Sequence, residues 1–96
     1  MGRKSKFDVK VYKSGTVYLS RPLREELGSQ YVIVVPIVDE KAIMLIPTDD
    51  QDGAYKISDS GLLGVRAWVK MFGCHLKGYK FDRKSKTLII WLTDKG

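Results

Sequence analysis

The sequence predicts a mostly β protein with short helices, an α+β fold, and three observations carry that expectation. Apolar and polar residues alternate at strand period in FDVKVYK, where Phe7, Val9 and Val11 share a face. Turn residues separate strand-like runs three times, at Lys13-Ser14-Gly15, at Asp39-Glu40 and at Arg83-Lys84-Ser85-Lys86. The helix read at 20–28 spans about two turns, a length that is not stable in water by itself.

Each element follows from local chemistry. Thr16-Val17-Tyr18-Leu19 resumes the first strand after the Gly15 turn, giving a hairpin with Lys13 at its tip. Ser20 suits an N-cap, and Pro22 falls in the first helical turn, where no backbone N–H is needed. Gly28 is a C-terminal stop, and Leu23 and Leu27 are the residues that hold so short a helix against a sheet. YVIVVPIV and KAIMLIP, joined at Asp39-Glu40, form a second hairpin that is apolar on both faces and so requires cover on both sides. Pro36 cannot donate to a ladder and marks an edge or a bulge. Four strands and one small helix cannot supply that cover, whereas a second copy interleaving its hairpins across a two-fold axis would. Residues 49–54 are an acidic linker. Beyond it, Ser58 or Ser60 caps a helix running to about Phe72, with Leu62, Val65, Val69 and Phe72 at helical spacing and Trp68 beside them. GYKFD and TLIIWL then make a third hairpin.

Composition bounds the function. The 96 residues suit one compact domain or two very small modules, with self-association expected. Seventeen Lys+Arg against eleven Asp+Glu give a net charge of +6, which favours polyanionic partners such as nucleic acid. One cysteine excludes an internal disulfide framework, and Cys74 with His75 cannot make a zinc site from one chain. No apolar run approaches the roughly 18 residues of a membrane span, and no signal-peptide region follows the basic start. These features predict a cytoplasmic protein without a membrane partner. The chain has no Asn and abundant Val, Ile and Lys, a bias against heat-labile residues as in thermophiles. P-loop, G-x-G-x-x-G and H-E-x-x-H motifs are absent, and Cys74 and His75 are adjacent without an orienting acid. No catalysis and no cofactor are expected.

The order of basic hairpin, Gly15, Val17, Leu19, Leu23, Arg24, Leu27 and Gly28, followed by the Asp39-Glu40-Lys41 tip, resembles the AbrB / SpoVT swapped-hairpin DNA-binding domain over roughly residues 7–48. The resemblance implies an N-terminal dimeric β-barrel built from exchanged hairpins, with residues 1–48 as the DNA-binding and dimerisation half. Residues 55–96 extend it as a helix plus hairpin of unassigned role, open to a protein partner. It also implies a homodimer on double-stranded DNA, acting as a transcriptional regulator or nucleoid-associated protein. In that family, DNA contacts come largely from basic residues near the first hairpin and short helix. Arg24 keeps the motif position, whereas Thr16 stands where the family has a basic residue and Pro22 is displaced from its usual place. Lys13, Arg21 and the N-terminal Arg3, Lys4 and Lys6 then complete the candidate set.

Each candidate has a plainer reading. Arg24 can pair with Glu25, Glu26 or Asp8, and Arg3, Lys4 and Lys6 can be a solvated terminus. In the third hairpin, Lys80, Arg83, Lys84 and Lys86 interleave with Tyr79 and Phe81, but the aromatics alternate like a core face and DRKSK reads as a solvated turn. Trp68 and Trp91 read as core or interface. Two rival functions remain: an antitoxin whose tail wraps a toxin, and a non-catalytic assembly module. From Asp49 onward nine Lys+Arg face six Asp, and the tail is patterned like a folded unit, which counts against the antitoxin.

Overall fold

A computed structural model describes residues 7–95. The protein is mostly β with two short helices. In chain order the elements are β1 (Val9–Val11), β2 (Thr16–Leu19), α1 (Arg21–Leu27), β3 (Tyr31–Ile37), β4 (Ala42–Thr48), β5 (Tyr55–Lys56), β6 (Leu62–Gly64), α2 (Arg66–Phe72), β7 (His75–Asp82) and β8 (Thr87–Thr93). A 3-10 turn, Val38–Glu40, joins β3 to β4. The strands form two open sheets, one ordered β1-β2-β6 and one ordered β5-β3-β4-β8-β7. No helix among the described residues is long and apolar enough to cross a membrane.

The expected hairpins form where turn chemistry places them. Within the first, Val9 pairs with Leu19 and Val11 with Val17. In the second, all seven residues of β3 pair with β4, from Tyr31–Thr48 to Ile37–Ala42. Pro36 lies on the part of β3 that β5 does not reach, since β5 pairs only with Tyr31 and Val32. The missing N–H therefore faces no ladder. Helix α1 has its Pro at the start and Gly28 at φ +77° as its left-handed stop. Ser20 occupies the N-cap position and clamps the helix to the chain entering β1: the Asp8 N–H donates to Ser20 Oγ at 2.9 Å, and the Ser20 N–H donates to the Asp8 carbonyl at 2.9 Å.

The helix expected from Ser58 or Ser60 is shorter. Only Arg66–Phe72 is helical, and Leu62–Gly64 is a strand. Residues 62–64 pair antiparallel with β2, Tyr18 against Leu62 and Thr16 against Gly64. A vacant ladder on β2 outcompetes local helical spacing, and a tight turn closed by the Gly61 N–H on the Ser58 carbonyl delivers the strand to it. Gly61 has φ +91°, and a Cβ there would run into the Leu19 carbonyl oxygen and sit 3.1 Å from Arg24 Nε. Only glycine fits that bend.

The two halves of the chain are joined through strand pairing. Strand β8 adds to β4, Leu88 against Leu45 and Trp91 against Ala42, and β6 adds to β2. One buried cluster runs through both halves, with Val17, Leu19, Leu23, Val32, Ile43 and Leu45 meeting Ile57, Leu63, Val69, Leu88, Ile90 and Leu92. The cover expected from a second copy is thus supplied, on the inner face of β3–β4, by the chain's own C-terminal half. Leu45 is fully buried at the junction of the two halves. Leu45→Ala is expected to lower the free energy of unfolding by about 3 kcal/mol in urea titration, because a central β4 site backed by β3 and β8 has little freedom to collapse. A loss below about 1 kcal/mol would mean that the seam is loosely packed.

Candidate nucleic-acid interface

Strand alternation divides the three-stranded sheet into two unlike faces. Val9, Val17, Leu19, Leu63 and Val65 point into the core. The opposite face carries Lys10, Tyr12, Thr16, Tyr18 and Leu62, as the register of β1, β2 and β6 requires. Tyr12 is 43% exposed and Leu62 40%, so no element among the described residues covers this face. The Lys10 ammonium lies 6.0 Å from the centre of the Tyr18 ring, over its face. Lys13 is exposed in the β1–β2 turn, which leans on the start of α2: the Val65 N–H donates to the Gly15 carbonyl, and a Cβ on Gly15 would lie 2.5 Å from Arg66 Cα. Exposed Arg66 and Lys70 thus stand beside the turn that carries Lys13.

Arg21 and Arg24 sit at the other end of β2, about 13 Å of strand away from Lys13. The structure therefore spreads the expected cations along one hairpin rather than gathering them at its tip. Arg21 is exposed and pairs with Glu25 one turn on, at 3.5 Å. Among the described residues this is the one ion pair within 4 Å. Such surface pairs are weak and break readily for a better partner.

Arg24 is engaged elsewhere. Its Nε donates to the Leu19 carbonyl at 3.0 Å and its Nη1 to the Asp59 carbonyl at 2.9 Å. Neither the expected base contact nor the expected carboxylate partner accounts for this; the guanidinium ties α1 to the turn that launches β6. Gln30 Nε2 donates to Asp59 Oδ1 at 3.1 Å and secures the same turn. Together with Arg21, Glu25, Gly28, Ser29, Ile57 and Ser58 these residues line an open cleft of about 590 Å³. Nothing local signalled this role, because Asp59 lies 35 residues from Arg24.

Arg3, Lys4 and Lys6 lie outside the described residues. The described chain starts at Phe7, edge-on to Phe81 at 5.7 Å, with the Arg83 guanidinium 5.8 Å from the Phe7 ring centre. Tyr79 and Phe81 pack against the core, as their alternation predicts, and the Tyr79 hydroxyl donates to the Phe7 carbonyl at 3.0 Å. Arg83, Lys84 and Lys86 are exposed around the β7–β8 turn, where Asp82 accepts from the Lys84 N–H and the Ser85 hydroxyl. Trp68 packs against the core and stacks on Phe72, whereas Trp91 donates its indole N–H to Glu40 at 2.9 Å. Compared with protein-family models, curated proteins and solved structures, the chain matches none.

Arg24→Ala removes the donor from a part-buried acceptor, the Leu19 carbonyl, and from the exposed Asp59 carbonyl, and is expected to cost about 1–2 kcal/mol of stability, read by urea titration. Arg24→Lys should recover less than half of that, since an ammonium lacks the fork that reaches both carbonyls. Unchanged stability in both variants would show that the two bonds contribute nothing.

Proposed function

We propose that the protein is a homodimeric, non-catalytic, double-stranded DNA-binding protein, a transcriptional regulator or nucleoid-associated protein of the cytoplasm. The observation that carries this reading is the cation surplus: the net charge is +6, and among the described residues only Arg21 has a carboxylate within 4 Å. Cations without intramolecular partners are available to replace the counterions condensed on a phosphate backbone.

The β1–β2–β6 face supports a geometry for the contact. A two-stranded β-ribbon fits the major groove of B-DNA, and this ribbon presents Lys10 and Lys13 from its outer face and tip, with Arg66 and Arg21 at its two ends. Lysines set position on phosphates, while Arg21, freed from Glu25, is the candidate for reading a base edge. Arg24 acts as a positioning residue in this account, and Arg3, Lys4 and Lys6 remain candidates as a basic arm. The swapped-hairpin dimer of AbrB type belongs to the same proposal. Two copies trading first hairpins would keep the β2–β6 register but take it between chains.

The test is fluorescence anisotropy of a random-sequence duplex titrated with protein at several salt concentrations. We expect a log–log slope between about −3 and −6, or roughly three to six phosphates neutralised per bound unit. Replacing both Lys10 and Lys13 with Gln removes four lysines per dimer and should reduce the slope by about 2 to 4, according to whether one or both protomers engage, without changing thermal stability, since both are exposed. Salt-insensitive binding, or none, would overturn the reading in favour of an assembly module.

A further inference from the structure

The outer face of the five-stranded sheet is apolar across β3, β4 and the middle of β8, and no element among the described residues packs over it. The register aligns Val35, Met44 and Ile89 in one row, with Ile33 beside Ile46 in the next row and Trp91 on the other side. None of these six residues belongs to the buried core cluster or packs against it. Ile33 is 43% exposed and Val35 37%, although both sit on a strand whose alternate residues are core. Met44 and Ile89, with Lys80, Asp82, Ser85 and Thr87, line an open depression of about 270 Å³ on this side. An antiparallel sheet with one solvated face ordinarily turns polar residues outward. This sheet does so at Lys80, Asp82 and Thr87 but not across β3, β4 and the middle of β8.

We propose that a second copy of this chain covers this face, so that two five-stranded sheets pack outer face to outer face across a two-fold axis. Area, charge and the chain's own composition select that occupant. Strands of about seven residues across β3, β4, β8 and β7 give a flat footprint of roughly 450 Å². Side-chain relief brings that toward the ~800 Å² that each partner contributes to a standard interface. The β7 edge of the face holds Lys80 and Asp82, two residues apart and of opposite sign. An isologous contact about an axis running between these two residues sets the lysine of one copy against the aspartate of the other. Residues 1–6, MGRKSK, are mostly polar and basic and have one strongly apolar side chain, Met1, against six on this face. Two sheets packed this way sit about 10 Å apart with their strands roughly aligned. In this dimer each copy would keep its first hairpin at home, so the contact stands in place of the hairpin exchange named above, and it does not rest on the DNA-binding reading.

Sedimentation equilibrium of the full chain from about 1 to 100 µM tests the proposal. A mass of twice 10.9 kDa is expected at the upper end, held or strengthened by added salt. Val35→Lys should raise the dimer dissociation constant at least a hundredfold, while Leu62→Lys, on the outer face of the other sheet, leaves it unchanged. If Val35→Lys alters the circular dichroism spectrum, the milder pair Ile33→Thr and Val35→Thr is used, with at least a tenfold rise expected. A wild-type chain that is monomeric at 100 µM overturns the proposal. So does a dimer that persists in folded outer-face variants, an outcome that assigns dimerisation to hairpin exchange instead. A DNA-binding result of either sign leaves the mass measurement intact.

Discussion

The pairing of β8 with β4 is the interaction on which the rest of the structure depends. Leu88, Ile89, Ile90 and Trp91 align with Leu45, Met44, Ile43 and Ala42, and the Leu92 N–H continues the ladder onto the Lys41 carbonyl at 2.9 Å. Without it, the sheet shrinks to the β3–β4 hairpin with only the two-residue β5 at its edge, and so small a sheet with apolar residues on both faces is marginal in water. With it, Ile43 and Leu45 lie beside Ile90 and Leu88 in one continuous buried face, and β7 follows as the next strand out. The sequence separation across this seam is more than forty residues, a non-local pairing of the kind that slows folding.

Closure leaves the molecule with two exposed sheet faces of opposite character. The three-stranded face is polar and basic, with Lys10 over Tyr18 and Lys13 at its tip; the five-stranded face is apolar, with Val35, Met44 and Ile89 in a row. The cationic face and the apolar face thus lie on separate sheets and share no residues. The Arg24 guanidinium serves this arrangement from inside. By holding the Leu19 and Asp59 carbonyls it fixes the angle at which β6 joins the basic sheet.

What was legible in the sequence was what local chemistry decides. The Lys13-Ser14-Gly15 and Arg83–Lys86 turns, the Pro22 start and Gly28 stop of α1, and the edge position of Pro36 all stand where their residue types put them. The two-sided apolar character of β3 and β4 was also legible, and it announced a need for cover. Which cover was not, because it depends on partners far along the chain. Leu62 fits a helical stripe with Val65, Val69 and Phe72, yet it pairs with Tyr18 and points to solvent. Non-local pairing overrode periodicity there. For the candidate site the limit was similar. The hairpin placed Lys13 and Arg21 correctly on its tip and at its end, but only the tertiary fold shows that Arg24 is committed to backbone carbonyls and that Lys10 shares a face with Tyr12 and Tyr18.

Native-state amide hydrogen exchange tests the central claim, that the two halves form one cooperative unit through the β4–β8 seam. The account predicts that the ladder amides of Ile43–Leu45 and of Leu88–Ile90 open with the same free energy, equal to that of global unfolding. If β7 and β8 exchange through a separate, cheaper opening while β3 and β4 stay protected, the halves are independent modules and the account is contradicted.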